Sequence, residues 1–143
     1  MNREAMYEAL FQNWKGLPGV VTTSRILKHW TDVQPAQQPA VFQPQAQETS
    51  IGQRGQPQKW ECRLKLYVYV RTDGGKVPGT VLNPILDGIT NLVNRKHPVT
   101  GLNDLGGVPG VEWARIDGTI ETDEGTLGQQ AVAIIPVLIL ATD

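Results

Sequence analysis

Cysteine, histidine and charge are all scarce in this chain, and each shortage removes a class of function. Cys62 is the only cysteine among 143 residues, so no disulfide can close within the chain, and a lone thiol fits a reducing compartment. Histidine occurs twice, as His29 and His97, too few and too far apart in sequence for a His-based metal centre. No apolar run reaches the roughly 18–20 residues of a membrane-spanning helix. The longest, Ala131 to Ala141, contains Pro136 and reads as a strand. The opening Met1-Asn2-Arg3-Glu4 lacks the apolar core of a signal peptide. Together these shortages predict a soluble chain made in a cytoplasm, with no membrane partner.

The tools of catalysis are missing as well. No Gly-x-Ser-x-Gly, His-Glu-x-x-His or Cys-x-x-Cys occurs. Gly74-Gly75-Lys76 lacks both the glycine spacing and the following Ser/Thr of a phosphate-binding loop. Leu105-Gly106-Gly107-Val108-Pro109-Gly110 opens a strand, so no helix N-terminus is there to hold an anion. Asp117, Glu121, Asp123 and Glu124 form an acidic group that could collect a hard cation. Three of them alternate along one strand face, which fits a solvated edge or a patch for a basic partner better. The expectation is no catalytic residue, no cofactor site and no metal site.

Net charge is −1, unevenly spread. Residues 1–76 hold ten Lys/Arg and six Asp/Glu (+4), and residues 77–143 hold three and eight (−5). No dense basic cluster marks a specific nucleic-acid footprint. Unlike halves do suit copies that stack head to tail.

What is present centres on Lys59 to Arg71. Even positions carry Trp60, Cys62, Leu64, Leu66, Val68 and Val70; odd positions carry Lys59, Glu61, Arg63, Lys65, Tyr67, Tyr69 and Arg71. A period of two makes this a strand with an apolar face for the core, where Cys62 becomes a buried thiol, and a charged, tyrosine-bearing face opposite.

Before it, Asn2 can cap a helix over Arg3 to Lys15 whose stripe is Met6, Tyr7, Leu10, Phe11 and Trp14. Gly16, with a left-handed cap, and Pro18 end it. Val20 to Trp30, with His29, reads as a second strand. Val33 to Gln58 is rich in proline and glutamine, with Val41 and Phe42 as a short strand. Its Gln43–Gln58 part has little to bury and reads as a mobile arm or one that orders on a partner.

Beyond the central strand, Asp73-Gly74-Gly75 supplies a turn. A helix starts between Thr80 and Pro84, with Asn83-Pro84 as one cap pair. Its stripe is Ile85, Leu86, Ile89, Leu92 and Val93, followed by Arg95 and Lys96 at its carbonyl end. A glycine-rich loop, Gly101 to Gly110, leads to a hairpin of Val111–Thr122 and Leu127–Leu140 joined through Asp123-Glu124-Gly125. The last strand is apolar on both faces, and two short helices can hide only one side of a sheet. The fold class is α+β: a single twisted, mainly antiparallel β-sheet with two main α-helices packed on one face. Another subunit is the expected cover for the other face.

This order of elements resembles the tail-terminator, or tail-completion, proteins of long-tailed bacteriophages, and the likeness covers nearly the whole chain as one α+β domain. It rests on the N-terminal helix, the strand with Arg25 and Trp30, Pro39-Ala40-Val41-Phe42, the strand ending Leu66-Tyr67-Val68-Tyr69-Val70, the helix with Leu82-Asn83 and Leu86-Asp87, Leu105-Gly106-Gly107 and the closing hairpin. The resemblance implies a non-enzymatic virion subunit, assembled in the host cytoplasm. It would form a ring, usually a hexamer, that caps the head-proximal end of the tail tube. The ring would end tube polymerisation and offer a joining surface to the head-tail connector, with DNA passing through it.

Single residues are assigned on physical grounds. Arg63, Lys65, Tyr67, Tyr69 and Arg71, with Asp117, Glu121 and Asp123, are candidates for the subunit interface, because tyrosine joins contact area to a polar tip. Gln43, Gln45, Gln47, Gln53, Arg54 and Gln56 are candidates for the tube or neck contact. Another neck joining protein is the nearest alternative. A single-stranded nucleic-acid module using Tyr67, Tyr69, Arg63 and Lys65, or a small metal- or nucleotide-dependent enzyme, is more distant.

Overall fold

The computed structural model describes residues 1–72, 75–126 and 128–143. The turn expected over Asp73-Gly74-Gly75 and the strand start expected at Leu127 therefore rest on residues outside the described ones.

Helix α1 (Arg3–Trp14) begins as its cap dictates: Oδ1 of Asn2 accepts the Ala5 amide at 3.1 Å. It buries Met6, Tyr7, Leu10 and Trp14 on one stripe, with Phe11 half-buried beside them. Lys15 closes it in right-handed geometry, and the left-handed cap expected at Gly16 does not form.

Strand β1 (Thr22–Ser24) is much shorter than the Val20–Trp30 strand expected. Its partner, β2 (Ala40–Phe42), runs parallel to it and offers only three residues to pair with. The chain then turns away, and Arg25 donates instead to Glu4 and Glu8 of α1. His29 lies on no strand; its Nδ1 accepts the Thr31 amide at the head of a single 3-10 turn, Trp30–Asp32.

Strand β3 (Gln45–Ser50) takes up the first part of the expected loose arm. It pairs antiparallel with β4 (Lys59–Arg71), whose bounds are those the alternation predicts. Only the tip between them, residues 51–58, is irregular.

Helix α2 (Gly79–Val93) starts before the Asn83-Pro84 pair, leaving Pro84 inside it. The Leu82 amide reaches the Pro78 carbonyl at 3.0 Å, and Thr80 Oγ1 donates to the Val77 carbonyl at 2.7 Å. The added turn carries Leu82 into the core, a gain of roughly 1.5–3 kcal/mol that offsets the one amide hydrogen bond Pro84 lacks.

The expected Val111–Thr122 strand is divided into β5 (Val111–Ile116) and β6 (Glu121–Asp123). Both pair with β7 (Gln130–Thr142), β5 along 137–141 and β6 along 132–134. The break lies opposite Pro136. Its carbonyl accepts the Asp117 amide at 3.1 Å, so its amide-free nitrogen faces the same side, where a continuous strand would need a donor. Gly118, at φ +122°, turns the chain there, and a Cβ on it would come within 3.2 Å of the Pro136 ring. On its other side Pro136 pairs with Lys65 inside an unbroken ladder of thirteen residue pairs between β4 and β7.

The sheet thus has seven strands in the order β1-β2-β4-β7-β5, with β3 beside β4 and β6 beside β7, and only β1–β2 is parallel. Both helices lie on one face. They close over Cys62, Leu64, Leu66, Val68 and Val70 of β4 and Ala131, Ala133, Ile135, Val137 and Ile139 of β7. Each large aliphatic side chain fully buried here contributes roughly 1.5–3 kcal/mol. The helices thereby fix which face of the sheet is left over.

Candidate subunit interface

The face opposite the helices is built by register. Along β4 it presents Lys59, Glu61, Arg63, Lys65, Tyr67, Tyr69 and Arg71, paired respectively with Thr142, Leu140, Leu138, Pro136, Ile134, Val132 and Gln130 of β7. Trp113 and Arg115 of β5 and Glu121 and Asp123 of β6 extend it past β7, while Phe42 and Ala40 of β2 extend it past β4. It divides into a charged end and an apolar end.

At the charged end, Arg63 donates to Glu61 Oε2 at 3.1 Å and to Asp117 Oδ2 at 3.2 Å, and those carboxylates push its guanidinium pKa further up. Arg115 donates to the second oxygen of Asp117 at 3.1 Å and stacks over the Trp113 ring at 4.4 Å. Lys59 pairs with Glu112 at 2.7 Å. Leu138, the register partner of both arginines, is buried between them. Partly exposed pairs of this kind contribute only about 0–1 kcal/mol each, so they orient charge far more than they hold the fold.

At the apolar end, Phe42, Tyr69, Val132, Ala40 and Val33 form a second, smaller core, with Trp30, Tyr67 and Ile134 packed against it. The Phe42 and Tyr69 rings lie 5.6 Å apart. A groove of about 590 Å³ opens there. Its floor is Tyr67, Val132 and Ile134, one wall is the 27–30 segment, and the other is Glu121, Thr122 and Asp123. Asp123 is fixed by the Thr126 and Gly125 amides and the Thr126 hydroxyl, which hold its carboxyl below the usual range.

The structure gathers Arg63, Lys65, Tyr67, Arg71, Asp117, Glu121 and Asp123 onto this face or its rim. Tyr69 is on it but covered by the chain itself: it is 4% exposed, and its hydroxyl donates to the Lys28 carbonyl at 2.9 Å. It serves the small core and not an outer surface. Asp117 does not share a strand with Glu121 and Asp123, because the break at Gly118 separates them. Trp30, Trp113, Arg115 and Ile134 belong to the face too. A bulge between Val111 and Trp113 shifts the phase of β5, so alternation alone does not place its side chains.

Gln45, Gln47, Gln53, Arg54 and Gln56 are exposed along β3 and its tip. Gln43 is a correction. It is 2% exposed, accepts the Trp14 indole N–H at 2.7 Å and donates to the Tyr7 carbonyl at 2.8 Å, so its amide is consumed inside the fold. Glu48 anchors β3 to α1 by accepting from Arg3 and from the Tyr7 hydroxyl, each at 2.7 Å. Cys62 is fully buried, and burial, then the nearby Glu48 charge, pushes its thiol pKa up. Among the described residues no group of three or more His, Cys, Asp or Glu could hold a metal ion, and no helix is long and apolar enough to cross a membrane.

No family model matches the chain, and no curated protein matches it. Among solved structures, its fold is similar to that of a chain from the virion of a native gene transfer agent particle, with a TM-score of 0.58 over 96% of this chain and 95% of that one. Sequence identity is 5%, so the likeness is one of fold.

Proposed function

We propose that this chain is a structural, non-enzymatic protein of a phage-like virion, a tail terminator whose copies close into a ring at the head-proximal end of the tail tube. The observation that carries the reading is the end-to-end fold likeness to a virion chain, with which the order of elements in the sequence agrees. The sheet face away from the helices supports it, since that face ends in exposed charges and a groove. A hexameric ring needs one surface to meet a different surface on the next copy. The oriented Arg63–Asp117–Arg115 array sets register in such a contact. The tip of the β3–β4 hairpin, with Gln53, Arg54 and Gln56, reaches the tube or the neck, and the connector docks on the other side.

A position elsewhere in the neck, between connector and tail, is the second reading, because a virion likeness names no component. The test is reconstitution: purified chain mixed with tail-tube protein at high micromolar concentration, followed by native mass spectrometry and electron microscopy. A ring of about six copies seated on tube ends, with tube growth stopped, is the expected outcome. A chain that stays monomeric and does not sediment with tubes sinks the terminator reading. Density between connector and tail, with tube ends left bare, favours the neck.

A further inference from the structure

Two features outside the charged array are complementary to each other. One is a knob. After α2 the chain loops through His97–Leu102, closed by the His97 amide on the Leu102 carbonyl (3.0 Å) and the Gly101 amide on the His97 carbonyl (2.8 Å). The His97 ring nitrogen Nδ1 accepts the Val99 amide at 3.2 Å and the Thr100 amide at 3.4 Å. This bonding holds Val99 outward, 87% exposed. Arg95 and Lys96 stand at the stem, both exposed and without an ion-pair partner among the described residues. Leu102 of the same loop is exposed too, at 46%, so the loop presents apolar surface that nothing in the monomer covers.

The other is the groove. Its floor is apolar, and Glu121 on its wall is exposed and likewise has no ion-pair partner among the described residues. Asp123 beside it has only the neutral Thr126 and Gly125 as partners. Lys28 and His29 line the far wall, so the negative charge is confined to one side. Knob and groove share no residue, and they sit on different parts of the sheet. The knob hangs beside β5, where Asn103 bridges Ala114; the groove lies between β6 and the 27–30 segment.

We infer that the groove of one copy receives the Val99 knob of the next, with Val99 on Tyr67 and Ile134 and with Arg95 and Lys96 against Glu121 and Asp123. This deepens the ring reading and rests on it: it names the two unlike surfaces that a head-to-tail contact requires. A preformed knob loses little conformational freedom on docking. The like charge of Arg95 and Lys96 disfavours knob on knob, and the unlike charges favour knob on groove.

The test uses the full chain at a concentration where the wild type forms rings. Val99→Asp kills the knob and spares the groove; Glu121→Lys reverses the groove wall and spares the knob. Each alone is expected to raise the apparent assembly dissociation constant by about tenfold or more while leaving the thermal midpoint of the monomer in place. Mixed together, they should yield one-to-one pairs and nothing larger, since only one good contact is possible. Lys96→Glu combined with Glu121→Lys should recover rings.

Rings formed by Val99→Asp at wild-type concentration overturn the inference while leaving the terminator reading intact. So does a mixture that makes closed rings, or a small molecule retained in the groove of every variant. Rings that obey the knob-and-groove pattern but fail to cap tubes overturn the terminator reading alone. A wild type that is monomeric throughout overturns both.

Discussion

The indole N–H of Trp14 points at Oε1 of Gln43 from 2.7 Å, and both side chains are shut away from solvent. This bond pins the end of α1 to the kink between β2 and β3, and it converts a glutamine from a proline-rich stretch into a core residue. Gln43→Leu keeps the volume but orphans the indole donor. A buried donor left unsatisfied costs about 1–3 kcal/mol, so the unfolding free energy should fall by that amount, seen as a lower denaturant midpoint with an unchanged slope. An unchanged midpoint would show that Gln43 is no part of the core.

Glu48 makes stability depend on pH at the acid end. Burial pushes its carboxyl up, but the hydrogen bonds from Arg3 and Tyr7 prevail and hold it below its ordinary 4.5. The folded state thus binds the proton more weakly than the unfolded state. The stability Glu48 supplies is complete above about pH 4.5 and drains away as pH falls through the lower folded value. Urea midpoints measured from pH 3 to pH 7 should fall less steeply at the acid end in Glu48→Gln than in the wild type.

Tyr7 works in the opposite sense at the alkaline end. Burial, then its bond to Glu48, raises the phenol pKa well above its ordinary 10.0. The unfolded phenol ionises first, so stability should decline as pH rises past 10. Tyr7→Phe should remove that alkaline decline, as followed by circular dichroism, whatever it costs at neutral pH.

Gly110 is held at φ +87°, and a Cβ there would lie 2.7 Å from the Thr142 carbonyl oxygen, a backbone atom that cannot step aside. Gly110→Ala combines a left-handed penalty of about 1–2 kcal/mol with that clash. Gly125 has open space and no positive φ, so Gly125→Ala should change little. The difference between their thermal midpoints is the measurement. Equal midpoints would mean that the 109–111 turn relaxes freely.

Asp117 receives both Arg63 and Arg115 on a partly exposed surface. Asp117→Asn should therefore cost the monomer no more than about 1 kcal/mol, while weakening assembly in sedimentation and changing its dependence on salt. A large loss of monomer stability with normal assembly would make the array a folding device instead of a contact surface.

Local pattern was enough wherever one element's neighbours are uniform along its length. β4 reads off its sequence because its even side chains from Cys62 to Val70 are buried in the helix-covered core while the odd ones, Tyr69 excepted, are not. α1 is legible for the same reason, with a cap that needs only Asn2. The errors fall where a distant partner decides. Thr22–Ser24 is a strand only for as long as Ala40–Phe42 lies beside it. Of the starts left open for α2 between Thr80 and Pro84, burial of Leu82 favours the early one, and the helix begins one residue before it, at Gly79. Gln43 is buried because Trp14 and Tyr7, far away in sequence, complete its hydrogen bonds. On the candidate face, β4 announced its own residues, but Trp113 and Arg115 were hidden by a bulge. The 27–30 wall of the groove was hidden by a segment that turns out not to be a strand.

The interruption opposite Pro136 has a mechanical side. The two central strands are zipped along thirteen pairs, whereas β6 holds on by three. A sheet edge opens more easily the fewer pairs must part at once, and β6 can peel without disturbing β5. Its amides should exchange with solvent hydrogen far faster than those of β4 or β7. The strand expected to open first is therefore the one that carries Glu121 and Asp123. On the proposed interface, that part of the surface could adjust to a neighbour while the β4–β7 ladder stays closed.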